Sequence, residues 1–143
     1  MIAKTEGSSV ISGTDKKYYL GECYGLRAYL YFHLLRSYGN VILYTAYTSG
    51  TTLDLSNLNK TQDPALSIMT QIKSDIAASE AAFDANYAFT KGKNYWSLGA
   101  TEMLKGEVYL WSGKQMGGGP SDYAIAKTAL QEVDNCPNIA LQN

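Results

Sequence analysis

The stretch from Gly13 to Tyr38 is apolar on nearly every side of a helix, and this feature narrows the choice of fold more than any other. Ser12 with Asp15 three residues later resembles a capping box, and Gly39 stands where a left-handed residue ends a helix. Between those stops, Leu20, Cys23, Tyr24, Tyr31, Leu34, Leu35 and Tyr38 keep the three-and-four spacing of one helical face. Tyr19, Leu26, Tyr29, Leu30 and Phe32 cover much of the remainder. The charges Lys17, Glu22, Arg27 and Arg36 are scattered around the wheel and define no wide polar face. A helix apolar on most sides is normally buried on most sides. The pattern therefore predicts a central helix, the most buried of its fold.

Three more helices follow. Asp63 reads as an N-cap and Pro64 as the first helical residue of the second, which ends near Phe83 or Asp84. Its stripe is Ile68, Met69, Ile72, Ile76, Ser79 and Phe83, with Lys73, Asp75 and Glu80 largely off it. The third runs from about Tyr95 to Ser112 and stops at Gly113. Pro120 and Ser121 mark the start of the fourth, which runs to about Val133 with Tyr123, Ala126, Ala129, Leu130 and Val133 inside; Cys136-Pro137 ends it.

The joints complete the plan. Val41-Ile42-Leu43-Tyr44 is short and β-prone, but it leads into a polar, Ser/Thr/Asn-rich run that reads as a long surface excursion. Gly117-Gly118-Gly119-Pro120 reads as a flexible, exposed turn. Convincing alternating strands are absent. Helices three and four match the tetratricopeptide pattern in part: Gly106 and Tyr109 are three apart, and Ala124 or Ala126 supplies the small residue of the second helix. The turn between them is too long for a regular array. A chain of 143 residues fits one domain, so residues 1–143 read as a single helical-repeat-like unit. The expected class is all-α: tetratricopeptide-like helical hairpins, two stacked antiparallel helix pairs, with one long connecting loop.

Composition removes several functions. Twelve Lys/Arg against 13 Asp/Glu give a net charge of −1, so no positive field draws nucleic acid. The longest uncharged stretch, Ser37 to Leu53, is too short and too polar to span a bilayer. The opening residues carry no apolar segment and no cysteine for lipidation, so nothing exports or anchors the chain as written. Cys23 and Cys136 form no CxxC pair and lack the company of ligands a zinc site needs. A disulfide between them is neither required nor forbidden by the sequence, and the plainer reading is two partly buried thiols.

Catalysis finds no support. His33, the only histidine, sits inside the long helix with no nucleophile recognisable by motif, and reads as a core or helix-packing residue. Glu102 and Glu107 are five apart on one helix and point to different sides, as do Asp75 and Glu80. No phosphate-cradling loop is present, since the glycine run lacks Lys-Ser/Thr. The expectation is no enzyme, no cofactor and no metal. Arg27 lies among Tyr24, Tyr31 and Leu34, and a partly buried guanidinium needs an anion. Asp75 and Glu102 are the candidate partners in a structural ion pair.

Three stretches together resemble the SusD/RagB family of outer-membrane glycan-binding lipoproteins. The first is Gly21-Glu22-Cys23-Tyr24-Gly25-Leu26-Arg27-Ala28-Tyr29, running on through Leu34-Leu35-Arg36-Ser37-Tyr38-Gly39-Asn40-Val41. The second is Ile72-Lys73-Ser74-Asp75-Ile76-Ala77-Ala78-Ser79-Glu80, and the third is Gly99-Ala100-Thr101-Glu102-Met103-Leu104-Lys105-Gly106-Glu107-Val108-Tyr109-Leu110-Trp111-Ser112-Gly113 followed by Tyr123-Ala124. Order and spacing agree over about residues 18–141, while Ile42 replaces a usual proline and Gly25 and Gly106 replace larger residues. Members of that family are several times longer, with a signal peptide and lipobox upstream and an irregular glycan-contacting portion downstream. The resemblance therefore implies the tetratricopeptide-like part of such a protein, as a fragment or a truncated form.

That resemblance implies a non-catalytic component of outer-membrane glycan uptake, a scaffold docking on a SusC-like TonB-dependent transporter. Localisation would be the outer-membrane surface for a full-length member, which also binds oligosaccharide. A homo-oligomer of the fragment would cover any apolar surface left over. Sugars stack on aromatic faces, and Tyr44, Tyr47, Tyr95 and Trp96 fall in or beside predicted loops, so these four are the glycan-contact candidates. Staples closing a helix end explain Tyr95 and Trp96 about as well. A stand-alone peptide-binding helical repeat is the alternative, although its groove would carry repeated cationic or Asn residues, and the charges here are scattered.

Overall fold

The computed structural model describes residues 1–45, 60–134 and 136. Five helices occur among them: α1 (Ile2–Glu6), α2 (Gly13–Tyr38), α3 (Ala65–Phe83), α4 (Leu98–Gln115) and α5 (Gly119–Asp134). Helix α2 pairs with α3 and α4 pairs with α5, and the two hairpins meet along α3 and α4. The pairs are antiparallel: Lys17 reaches Asp84 while Arg27 reaches Asp75, and Gly106 meets Leu130 while Gly113 meets Tyr123. The fold is all-α. The single departure among the described residues is an isolated antiparallel bridge between Val41 and Asp63, all that the β-prone run provides.

The predicted stripe of α3 is its buried face: Ile68, Met69, Ile72, Ile76, Ser79 and Phe83 are all inside. They meet Ala28, Phe32 and Leu35 of α2 and Leu104 and Val108 of α4 in one apolar cluster. Phe32 sits edge-on to Trp111 at 5.8 Å, a favoured geometry for aromatic rings. A buried chain of hydroxyls ties the same three helices together. Trp96 Nε1–H donates to Thr101 Oγ1 at 2.8 Å, and Thr101 and Ser79 hydroxyls lie 2.9 Å apart. Ser79 Oγ donates to the Gly21 carbonyl at 2.7 Å, and Thr101 Oγ1 donates to the Ser97 carbonyl at 3.2 Å.

Helix α2 is not the most buried helix, contrary to its all-round apolarity. Only Gly21, Gly25, Ala28, Phe32 and Leu35 are buried along it. Three of these five are small, and the reason is close approach. A Cβ at Gly21 would lie 2.7 Å from the Phe83 ring, and one at Gly25 would lie 2.1 Å from Trp96 Nε1. The large residues instead face outward: Leu26, Leu30 and Leu34 form an exposed ridge, with Leu30 59% accessible, and Tyr19 and Tyr29 lie beside it. Pattern and burial part on α2 because glycines let the neighbours in on its inner face and leave the large apolar residues outside.

Several ends also move. Helix α1 was not legible as a helix; five residues cannot hold one alone. It is held by Tyr24, whose hydroxyl donates to Glu6 Oε1 at 2.7 Å, a bond that, with burial and the Glu6 charge, pushes the phenol up to about 12. Asp63 does not cap α3. Its N–H donates to Val41 O and its Oδ2 accepts from Leu43 N–H, so it clasps the two ends of the excursion. The cap comes from Asn40, whose Oδ1 accepts from Ala65 N–H at 2.9 Å. Gly39, at φ 72, turns the chain so that Asn40 can do so.

Helix α4 starts three residues later than Tyr95, because Ser97 caps it by accepting from Ala100 N–H. It continues through Gly113, whose missing side chain admits the Tyr123 ring. Helix α5 starts inside the glycine turn, at Gly119, and buries Ala126, Ala129 and Val133; Tyr123 stays 41% accessible.

Candidate functional site

The charge singled out on α2 is part of a tight ionic contact. Arg27 Nε donates to Asp75 Oδ2 at 2.7 Å and its Nη2 donates to Asp75 Oδ1 at 2.6 Å, a bidentate pair. Gln71 Nε2 adds a third donor to Asp75 Oδ1 at 2.7 Å, and Asp75 is 1% accessible. The pair holds Arg27 firmly protonated, the hydrogen bond to Asp75 outweighing the cost of burial. Glu102 is not part of this contact. It is buried on α4 against Lys105, whose Nζ lies 3.7 Å from Glu102 Oε2 and also donates to Glu80 Oε1.

The aromatic candidates do not assemble on one wall. Tyr44 is exposed and its backbone N–H donates to the Tyr31 hydroxyl at 2.7 Å, with Lys60 Nζ 5.3 Å from its ring centre. Trp96 lies against Gly25 and tilts across Tyr29 at 5.9 Å, its indole N–H committed to Thr101. Residues 25 and 31 lie on different faces of a helix, so Trp96 and Tyr44 approach α2 from different sides. Tyr95 is exposed beside Trp96. Tyr47 lies outside the described residues.

Of two clefts, only the first borders one of these rings, Tyr44. The first, about 420 Å³, is largely apolar and runs between α1 and α2 past Cys23, Leu26, Arg27, Leu30 and Tyr44. The other, about 470 Å³, lies between the start of α2, the end of α3 and the following connection. Its lining includes Asp15, Tyr18, Phe83, Asp84, Asn86 and Lys91. Tyr18 is edge-on to Phe83 at 5.8 Å, and Asp15 and Asp84 are paired with Lys91 and Lys17 at 3.0 and 3.1 Å. An aromatic edge with carboxylates and an amide suits a polyol better than a reactive centre. No sequence signal marked this cleft, since its residues come from three separate segments.

His33 is exposed on the outer side of α2, not in the core, 4.4 Å from the Tyr29 ring and 3.3 Å from Arg36 Nη2. Cys23 and Cys136 are free thiols. Among the described residues, no group of three or more acidic, His or Cys side chains is placed to hold a metal, and no helix is long and apolar enough to cross a membrane.

No protein-family model and no curated protein matches the chain. Solved structures do. The chain is similar to NanU of Bacteroides fragilis, at 57% identity and a TM-score of 0.89 over 99% of its length and 27% of that chain. It is similar to a SusD superfamily protein from Bacteroides vulgatus, at 51% identity and 0.87 over 99% and 27%. A laminarin-binding SusD-like protein matches at 25% identity and 0.74 over 99% and 28%. The chain therefore spans about a quarter of the length of the structures it matches.

Proposed function

The chain belongs to the SusD superfamily, and from that premise we propose that it is a non-catalytic component of glycan uptake at the outer membrane. In this reading its two hairpins are a scaffold that docks on a SusC-like TonB-dependent transporter and supports oligosaccharide binding. The observation that carries it is the 57% identity to NanU held across 99% of the chain. That the laminarin-binding protein shares the fold at 25% identity supports oligosaccharide as the ligand class. The Leu26, Leu30 and Leu34 ridge supports a scaffold role, since contiguous exposed apolar surface of this kind marks contact surfaces.

The same reading limits what these residues do alone. Tyr44 and Tyr95 are exposed, while the Trp96 indole is occupied in packing. Stacking on one or two rings supplies about 1–2 kcal/mol, against roughly 4 kcal/mol for a millimolar complex. Titration calorimetry of the 143-residue chain against a glycan panel that includes laminarin oligosaccharides should show no saturable heat. An affinity tighter than millimolar, lost on Tyr95→Ala or Tyr44→Ala, would place a complete glycan site within these residues and overturn the scaffold reading.

A further inference from the structure

Where the two hairpins meet, a buried carboxyl group is short of partners. Glu102 is 6% accessible, and its Oε2 accepts no hydrogen bond. The nearest cation, Lys105 Nζ, is 3.7 Å away and already donates to Glu80 Oε1 on α3. The other titratable groups that face Glu102 bring it no positive charge: Glu80 across the seam and Glu132 on α5 oppose a further negative charge, and Tyr87 from the connection between α3 and α4 is a neutral phenol. One lysine thus stands between two carboxyl groups, with a third carboxylate nearby. An ionised buried oxygen without a donor costs far more than a neutral one.

A proton resolves the arrangement. Neutral Glu102 becomes a donor, and Glu80, which shares Lys105 with it, is the neighbouring acceptor. We propose that Glu102 is held as the carboxylic acid, sharing its proton with Glu80, and that the α3–α4 seam is an acid-stabilised joint that loosens as this proton is lost. Burial first, then the neighbouring Glu80, push the Glu102 carboxyl up to about 8, far above the ordinary glutamate value of 4.5. The folded state therefore keeps a proton that the unfolded chain releases. The stability it contributes is complete below about pH 4.5 and is lost as pH rises through about 8.

Two measurements test this. Across the window from about pH 5 to 8, one retained proton makes the wild-type folding constant fall by up to about tenfold per pH unit. Glu102→Gln keeps the shape and a donor toward Glu80 while removing the titration. Urea denaturation at steps of pH should give a falling wild-type curve and a Glu102→Gln curve that is flat over the window. Parallel curves, or a wild-type curve that does not fall, would overturn the proposal. Should the variant fail to fold, the wild type still decides: the side-chain carboxyl carbon of Glu102, followed by NMR, should titrate near pH 8, and a midpoint near 4.5 would refute the shared proton.

Discussion

Arg27→Met is expected to destabilise the protein by about 3–5 kcal/mol, the cost of leaving a buried carboxylate without its cation. Asp75 is 1% accessible and takes two of its three hydrogen bonds from Arg27, so only Gln71 would remain. Methionine preserves most of the stem's packing, which isolates the loss of charge. The pair is not thereby a net source of stability, because desolvating both ions offsets most of their attraction. Arg27→Met combined with Asp75→Leu should regain most of the loss. Urea denaturation of the three variants measures both effects. A single-variant loss below about 1 kcal/mol would mean that water reaches Asp75 and that the pair behaves as a surface contact.

Gly25→Ala is the second large effect, and it runs against helix propensity. Alanine in a helix interior is worth about 1 kcal/mol over glycine. Here the added Cβ would stand 2.1 Å from Trp96 Nε1 and 2.5 Å from Cε2, so the indole must leave its place. Its departure breaks the bond to Thr101, about 1 kcal/mol, and strips packing from a large aromatic, about 3 kcal/mol. The net expectation is a loss of about 2–4 kcal/mol with a red shift in tryptophan fluorescence. A more stable variant with unchanged emission would show that Trp96 does not press on Gly25.

These two substitutions also mark where the sequence is readable. The α3 stripe was legible because every large apolar position on it is buried, so period and burial coincide. The same rule misled on α2, whose inner face is set by Gly21, Gly25 and Ala28, residues that carry little hydrophobic signal. Arg27 and Asp75 could be nominated as partners because a charge amid aromatic residues demands one; their bidentate geometry could not. Asp63 and Asn40 look alike as caps, and which one caps α3 is decided by the turn at Gly39, a tertiary matter. By sequence Glu102 is as good a partner for Arg27 as Asp75 is, and what separates it is that α4 turns it toward Lys105 instead. Nearness to a loop does not distinguish the exposed Tyr95 from the packed Trp96.

Purification of the affinity-tagged protein from detergent-solubilised outer membranes of its host, with the bound proteins identified by mass spectrometry, bears most directly on a role in glycan uptake. The expected result is a TonB-dependent transporter recovered in near-equal amount. Recovery without any such transporter, from a fraction outside the outer membrane and with peptide ligands in its place, would contradict it.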